Sequence, residues 1–124
     1  MNTEIILSTQ THPGDSTLNI VTSEKFKGDG YYGRSDGLHT IQVSLNGFIG
    51  KIKIEACLNV NPNEEDWFTV ILEDLSTVSN TTLLDYIENE TSSKLYNCKG
   101  NFVFLRAKVY DWTDGTINNI RLNL

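Results

Sequence analysis

"LHTIQVSLNGFIGKIKIEACL", residues 38 to 58, alternates apolar and polar side chains twice. In the first part Ile41, Val43 and Leu45 share one side of an extended chain, and Thr40, Gln42 and Ser44 share the other. The pattern resumes after Asn46-Gly47-Phe48-Ile49-Gly50, with Ile52, Ile54, Ala56 and Leu58 opposite Lys51, Lys53 and Glu55. A period of two is that of a strand with one wet face and one dry face. Asn-Gly readily adopts the positive φ of a two-residue turn, so the stretch predicts an antiparallel hairpin turning at residues 46–47.

Further strands are expected at residues 4–10, 16–22, 66–74, 101–111 and 116–124. They are separated by "HPGD", "GDGYYGRSDG", "NVNPNEED", "NCKGN" and "TDGT", each rich in turn-forming residues. "LLDYIENE", residues 83–90, fits one helical turn or another β excursion. Many short strands punctuated in this way predict an all-β fold, an antiparallel β-sandwich of jelly-roll type. At 124 residues the whole chain is expected to form one domain around one core.

Ten basic and sixteen acidic residues give a net charge of −6. No basic run is present, which weighs against nucleic-acid partners, because these are bound by clustered Lys and Arg. No apolar run approaches the roughly 20 residues of a membrane span, and the first residues carry no secretory pattern. Synthesis in a cytoplasm with no membrane partner is therefore expected. Cys57 and Cys98 have no metal or redox spacing, and free structural thiols are expected in preference to a disulfide.

Catalytic chemistry finds little to stand on. His12 lies beside Pro13 in a turn and His39 starts a strand, neither within a recognisable nucleophile or zinc motif. Glu64, Glu65 and Asp66 are neighbours in one turn, whereas a glycosidase pair must flank a cleft. Asp29 and Asp36 sit among glycines as in calcium loops, but the EF-hand spacing is not met and a structural loop is expected. The chain is expected to be non-enzymatic and to need no cofactor or metal.

Two surfaces remain as candidates. In "NFVFLRAKVYD" (101–111) Val103, Leu105, Ala107 and Val109 form one face, and Phe102, Phe104, Arg106, Lys108 and Tyr110 the other. So much aromatic area on a second face implies either cover by the chain's own loops or a subunit contact. The second choice makes Phe102, Phe104, Arg106 and Tyr110 interface residues. In "IRLNL" Ile120, Leu122 and Leu124 would face the core while the backbone edge, near Leu122, pairs with a neighbour. The alternative is a carbohydrate-binding adhesion module for host-surface glycans, using Tyr31, Tyr32 and Trp112 as sugar platforms near turns.

"KGDGYYGRSDGLHTIQVSLNGFIGKIKIEACL", "DWFTV" and "KGNFVFLRAKVYDWTDGTINNIRLNL" together resemble small β-sandwich virion structural proteins of tailed phages, most of all those of T4-like phages of marine cyanobacteria. The likeness covers most of residues 27–124 and leaves out residues 75–96. It implies a scaffold or decoration subunit of the capsid, neck, tail or fibre. Such a subunit would be located in the virion, with itself (as a trimer or higher ring) and other virion proteins as partners. It carries no catalytic residues over to this chain.

Overall fold

The computed structural model describes residues 3–15, 19–33 and 36–123. The strands are β1 (Thr3–Leu7), β2 (Gln10–Thr11), β3 (Val21–Thr22), β4 (Phe26–Lys27), β5 (Leu38–Cys57), β6 (Phe68–Thr69), β7 (Leu72–Asp74), β8 (Ser79–Thr81), β9 (Leu84–Lys99) and β10 (Phe104–Asn123). One 3-10 turn, Glu64–Asp66, precedes β6. The all-β, antiparallel expectation holds. Every pairing among the described residues is antiparallel, in the order β1-β10-β5-β9-β7-β8; β2, β3 and β4 add to β10, and β6 to β5. The hydrogen-bonded ladder is one continuous sheet, so two separate sheets with jelly-roll connectivity do not follow from this order.

The hairpin expected at Asn46-Gly47 does not form. Residues 38–57 are a single strand. It lies against β10 from Thr40 to Cys57 and against β9 from Leu38 to Ile52, so long-range pairing on both sides replaces the local turn. Gly47 takes its positive φ (65°) within the strand, where its N–H donates to Thr91 Oγ1 at 2.9 Å and its carbonyl accepts from Asn89 Nδ2 at 2.8 Å. The register slips here against both neighbours. That slip is a β-bulge, which bends a strand and resets which residues face inward. Before it Ile41, Val43 and Leu45 are buried, and after it Phe48, Ile52, Ile54 and Ala56. The same bend interrupts β10 at Asp111 (φ 48°) and Gly115 (φ 91°), which merges the two strands expected at 101–111 and 116–124 into one.

Buried residues from both halves of β5 and β10 join one hydrophobic cluster, so the sheet folds over at this corner and closes on its own inner face. Trp112 and Phe48 fill the corner, with ring centroids 5.9 Å apart, and His12 packs edge-on to Trp112 at 5.4 Å. The Trp112 indole N–H donates to the Asp114 carbonyl at 2.9 Å.

Two other expectations change. Residues 84–99 are strand, so the helical option at 83–90 fails, and the segment outside the phage resemblance supplies a central element. The C-terminal strand is not a sheet edge: β10 is flanked by β5 on one side and by β1 to β4 on the other. Ile120 and Leu122 are buried as expected, and Leu124 lies outside the described residues. The strand expected at 16–22 falls partly outside them and is otherwise reduced to β3.

Candidate functional site

Folding the long strands over at the corner brings their far ends together. Leu38 pairs with Lys99 in one layer, and Cys57 pairs with Phe104 in the other. Between them opens a cleft of about 1010 Å³. Its apolar lining is made by Ala56, Val70, Ile71 and the rings of Phe68 and Phe102. Cys57 and Cys98 both line it as free thiols, as expected, and burial pushes the Cys98 thiol up to about 12 and raises that of Cys57. Thiols so far from ionising are poor nucleophiles at neutral pH.

The rim is polar and largely amide. Asn59, Asn80, Asn97 and Asn101 stand around it with Asp66, Glu73 and Lys99. Asn97 accepts from Thr40 Oγ1 at 2.7 Å, and Asn59 donates to Asp66 Oδ2 at 3.1 Å. The Asn80, Asn101, Glu73 and Lys99 side chains have no partner within the described chain. Phe68 is 69% exposed and Leu58, expected to face the core, is 70% exposed, because β5 ends at Cys57 and releases it.

One wall of the cleft is a loop held by charge. Arg106 Nε donates to Glu55 Oε1 at 2.9 Å, while its two terminal nitrogens donate to the Glu64 carboxylate at 3.1 and 2.9 Å. The guanidinium lies over the Trp67 ring, 4.3 Å from its centroid. Hydrogen bonds from Arg106 hold Glu64 below the usual carboxylate range, and Glu64 in turn raises Arg106. Asp66 closes the turn by accepting from the Asn63 N–H at 2.7 Å. The acidic triplet is therefore structural: Glu64 clamps, Asp66 caps and Glu65 is exposed to solvent.

A second latch ties Asp29 to the residues at the start of β5. Asp29, which is buried, accepts from the Gly37 N–H at 2.7 Å, and His39 Nε2 accepts from the Asp29 N–H at 3.0 Å. Burial lowers the His39 pKa, keeping the ring neutral as that acceptor requires. His39 also packs on Phe102, centroids 5.8 Å apart, and so touches the wall of the cleft.

The residues singled out in the sequence fare unevenly. Phe104 is 6% exposed, covered by Tyr31 at 5.5 Å and by the Lys25 ammonium at 5.2 Å. Arg106 and Leu122 are buried, and Phe102 and Tyr110 are half-buried. Phe104 is thus covered by the chain's own loops, the other choice the sequence offered, while Phe102 and Tyr110 keep part of their surface in solvent. Trp112 is fully buried in the corner and cannot stack on a sugar. Tyr31 and Tyr32 are exposed, packed edge to face at 5.7 Å, but they lie outside the cleft lining. Phe68 and the amide rim were not singled out in the sequence. The four asparagines are spread from 59 to 101, and only the fold gathers them.

No protein-family model matches this sequence, and comparison with curated proteins finds no relative. Among solved structures the fold is similar to that of the SPBc2 prophage-derived protein YomS. The TM-score is 0.58 with 10% sequence identity, over 98% of this chain and 93% of that one. This likeness establishes a shared fold. A looser one, with a TM-score of 0.41 and 13% identity over 98% of this chain and 89% of the other, is to CBM29_1, a family 29 carbohydrate binding module from Piromyces equi. It is too loose to bear on the cleft.

Proposed function

We propose that this chain is a non-enzymatic structural subunit of a tailed-phage particle. The observation that supports this reading is the fold likeness to a prophage-derived protein, which pairs 98% of this chain with 93% of that one. The resemblance of its β5, β6 and β10 sequences to virion proteins of T4-like cyanophages supports the same assignment. Capsid decoration, neck, tail and fibre base are all positions such a subunit could take.

Self-assembly into a trimer or higher ring belongs to the proposal, but the contact shifts. Among the described residues the strand order ends at β1 and β8, not at the C-terminal strand; β8 is the polar Ser79–Thr81, whereas β1 carries Ile5, 51% exposed. An open edge with an exposed apolar residue invites pairing with another chain. Mass spectrometry of purified particles from the encoding phage should find the chain at a fixed copy ratio to the major capsid protein. Its absence from particles would overturn the assignment. In solution the wild type should run as an oligomer and Ile5→Lys as a monomer; an unchanged mass would remove β1 as the contact.

A further inference from the structure

We propose that the cleft at the open end of the sandwich binds a neutral oligosaccharide. This goes beyond the particle assignment, and it moves the sugar site suggested by the sequence to residues the sequence did not single out. The lining supplies two things a sugar needs. Phe68 presents an exposed ring, with the half-buried Phe102 ring in the same cleft, as flat apolar surface for the C–H face of a pyranose. Asn80, Asn101 and Glu73 offer unengaged donors and acceptors at the rim, and the Asn97 amide has its nitrogen left to donate. An amide both donates and accepts, which suits adjacent hydroxyls that do the same.

Charge and size narrow the ligand class. Two carboxylates, Asp66 and Glu73, face one ammonium, Lys99, so the lining is slightly negative within a chain of net charge −6. Both features repel sulfated or uronic-acid glycans. A purely apolar ligand would strip water from the rim amides without replacing their hydrogen bonds, a desolvation penalty sugars avoid. At about 1010 Å³ the cleft sits at the upper end of the range for small-molecule sites, roughly 300–1,000 Å³. It therefore has room for several sugar rings, and its open side lets a chain run through.

The test is titration of the full chain, followed by calorimetry and by side-chain amide NMR, with maltohexaose, cellohexaose, mannohexaose and chitohexaose, and with a heparin hexasaccharide as the charged comparison. Saturable binding of at least one neutral hexasaccharide is expected, with the Asn97 and Asn101 side-chain amides shifting and heparin silent. Phe68→Ala and Asn101→Ala should each weaken that binding at least tenfold. Both positions are exposed, so the variants should fold, and their unfolding midpoints check this. Tyr31→Ala/Tyr32→Ala should bind as the wild type does. Binding of none of the four neutral probes, binding of heparin alone, or loss of binding in the tyrosine variant instead of Phe68→Ala would each overturn the proposal. The particle assignment is read separately, by presence in virions, so either can fall without the other.

Discussion

At the corner of the sandwich Trp112, Phe48 and Ile117 are wholly out of solvent, and glycines bring backbone against backbone. At the opposite end Phe68 and Leu58 stand in water beside a cleft, and the walls are held by Arg106–Glu64, Asp66–Asn63 and Asp29–Gly37. One end is closed by apolar packing and the other is kept open by directed polar contacts. Packing fills whatever volume it is given, whereas a hydrogen-bonded turn can hold a shape around an empty space. The two ends should therefore respond differently to truncation, acid and chemical probes.

The largest effects belong to the corner. Trp112→Ala should cost about 3–5 kcal/mol, as for a fully buried large side chain. Gly115→Ala should cost about 3 kcal/mol, since it forces a side chain into positive φ and drives its Cβ into the Gly47 backbone. By contrast Phe68→Ala should stay within about 0.5 kcal/mol, its ring being mostly in solvent. Urea unfolding measures all three. Equal losses at Trp112 and Phe68 would erase the distinction between the ends.

The clamp on the cleft wall comes next. Arg106→Ala leaves Glu55 buried with only Lys53, 3.5 Å away, and should cost about 3 kcal/mol. Replacing both partners, Arg106→Met with Glu55→Leu, should restore most of that, because an apolar pair needs no counter-charge. If the double variant is no more stable than Arg106→Ala, the cost lies in lost packing on Trp67 and not in the stranded carboxylate.

How much of this was legible follows from the range of the interactions. The all-β class came from strict alternation, and alternation is local. The parity switch between Leu45 and Ile52 is equally visible, but Asn46-Gly47 points to a hairpin because that turn is the local solution. The observed bulge depends on β9 and β10 flanking the same strand, contacts about 40 to 80 residues away along the chain. The bulk on both faces of residues 101–111 is visible in the alternation too. Whether loops or a partner covered Phe104 turned on Tyr31 and Lys25, whose approach no period reveals. The C-terminal strand looked like an edge only because chain termini often are edges. The cleft is invisible for the same reason: its amides come from three separate stretches, at residues 59, 80 and 97–101.

Acid should act on the open end first. The folded-state pKa of His39 is lowered from 6.5 by burial, so the unfolded chain takes up its proton more readily. Its contribution to stability is complete above pH 6.5 and is lost as the pH falls through the lowered value. Glu64, lowered from 4.5 by Arg106, adds a second loss that begins near its unfolded value and runs below it. Urea midpoints measured from pH 7.5 down to 4 should fall in the wild type. A His39→Gln variant should lose the upper part of that slope, with its neutral amide still able to accept from the Asp29 N–H. A pH profile unchanged by His39→Gln would mean that another group carries the titration.

The smallest effect is chemical and tests whether the cleft is open without being reactive. Cys57 and Cys98 line it, yet both are buried and both thiols are raised by burial, Cys98 to about 12. Thiolate is the reacting species, so at pH 8 a disulfide reagent should label neither within minutes in the native protein and both at once in urea. Cys98 should be the slower of the two under partial denaturation, because its only influence is burial, whereas backbone hydrogen bonds and Arg106 partly relieve Cys57. Rapid labelling of Cys98 in the native state would mean the lining of the cleft breathes open, and the rigid, hydrogen-bonded walls inferred for this end would have to give way to a mobile one.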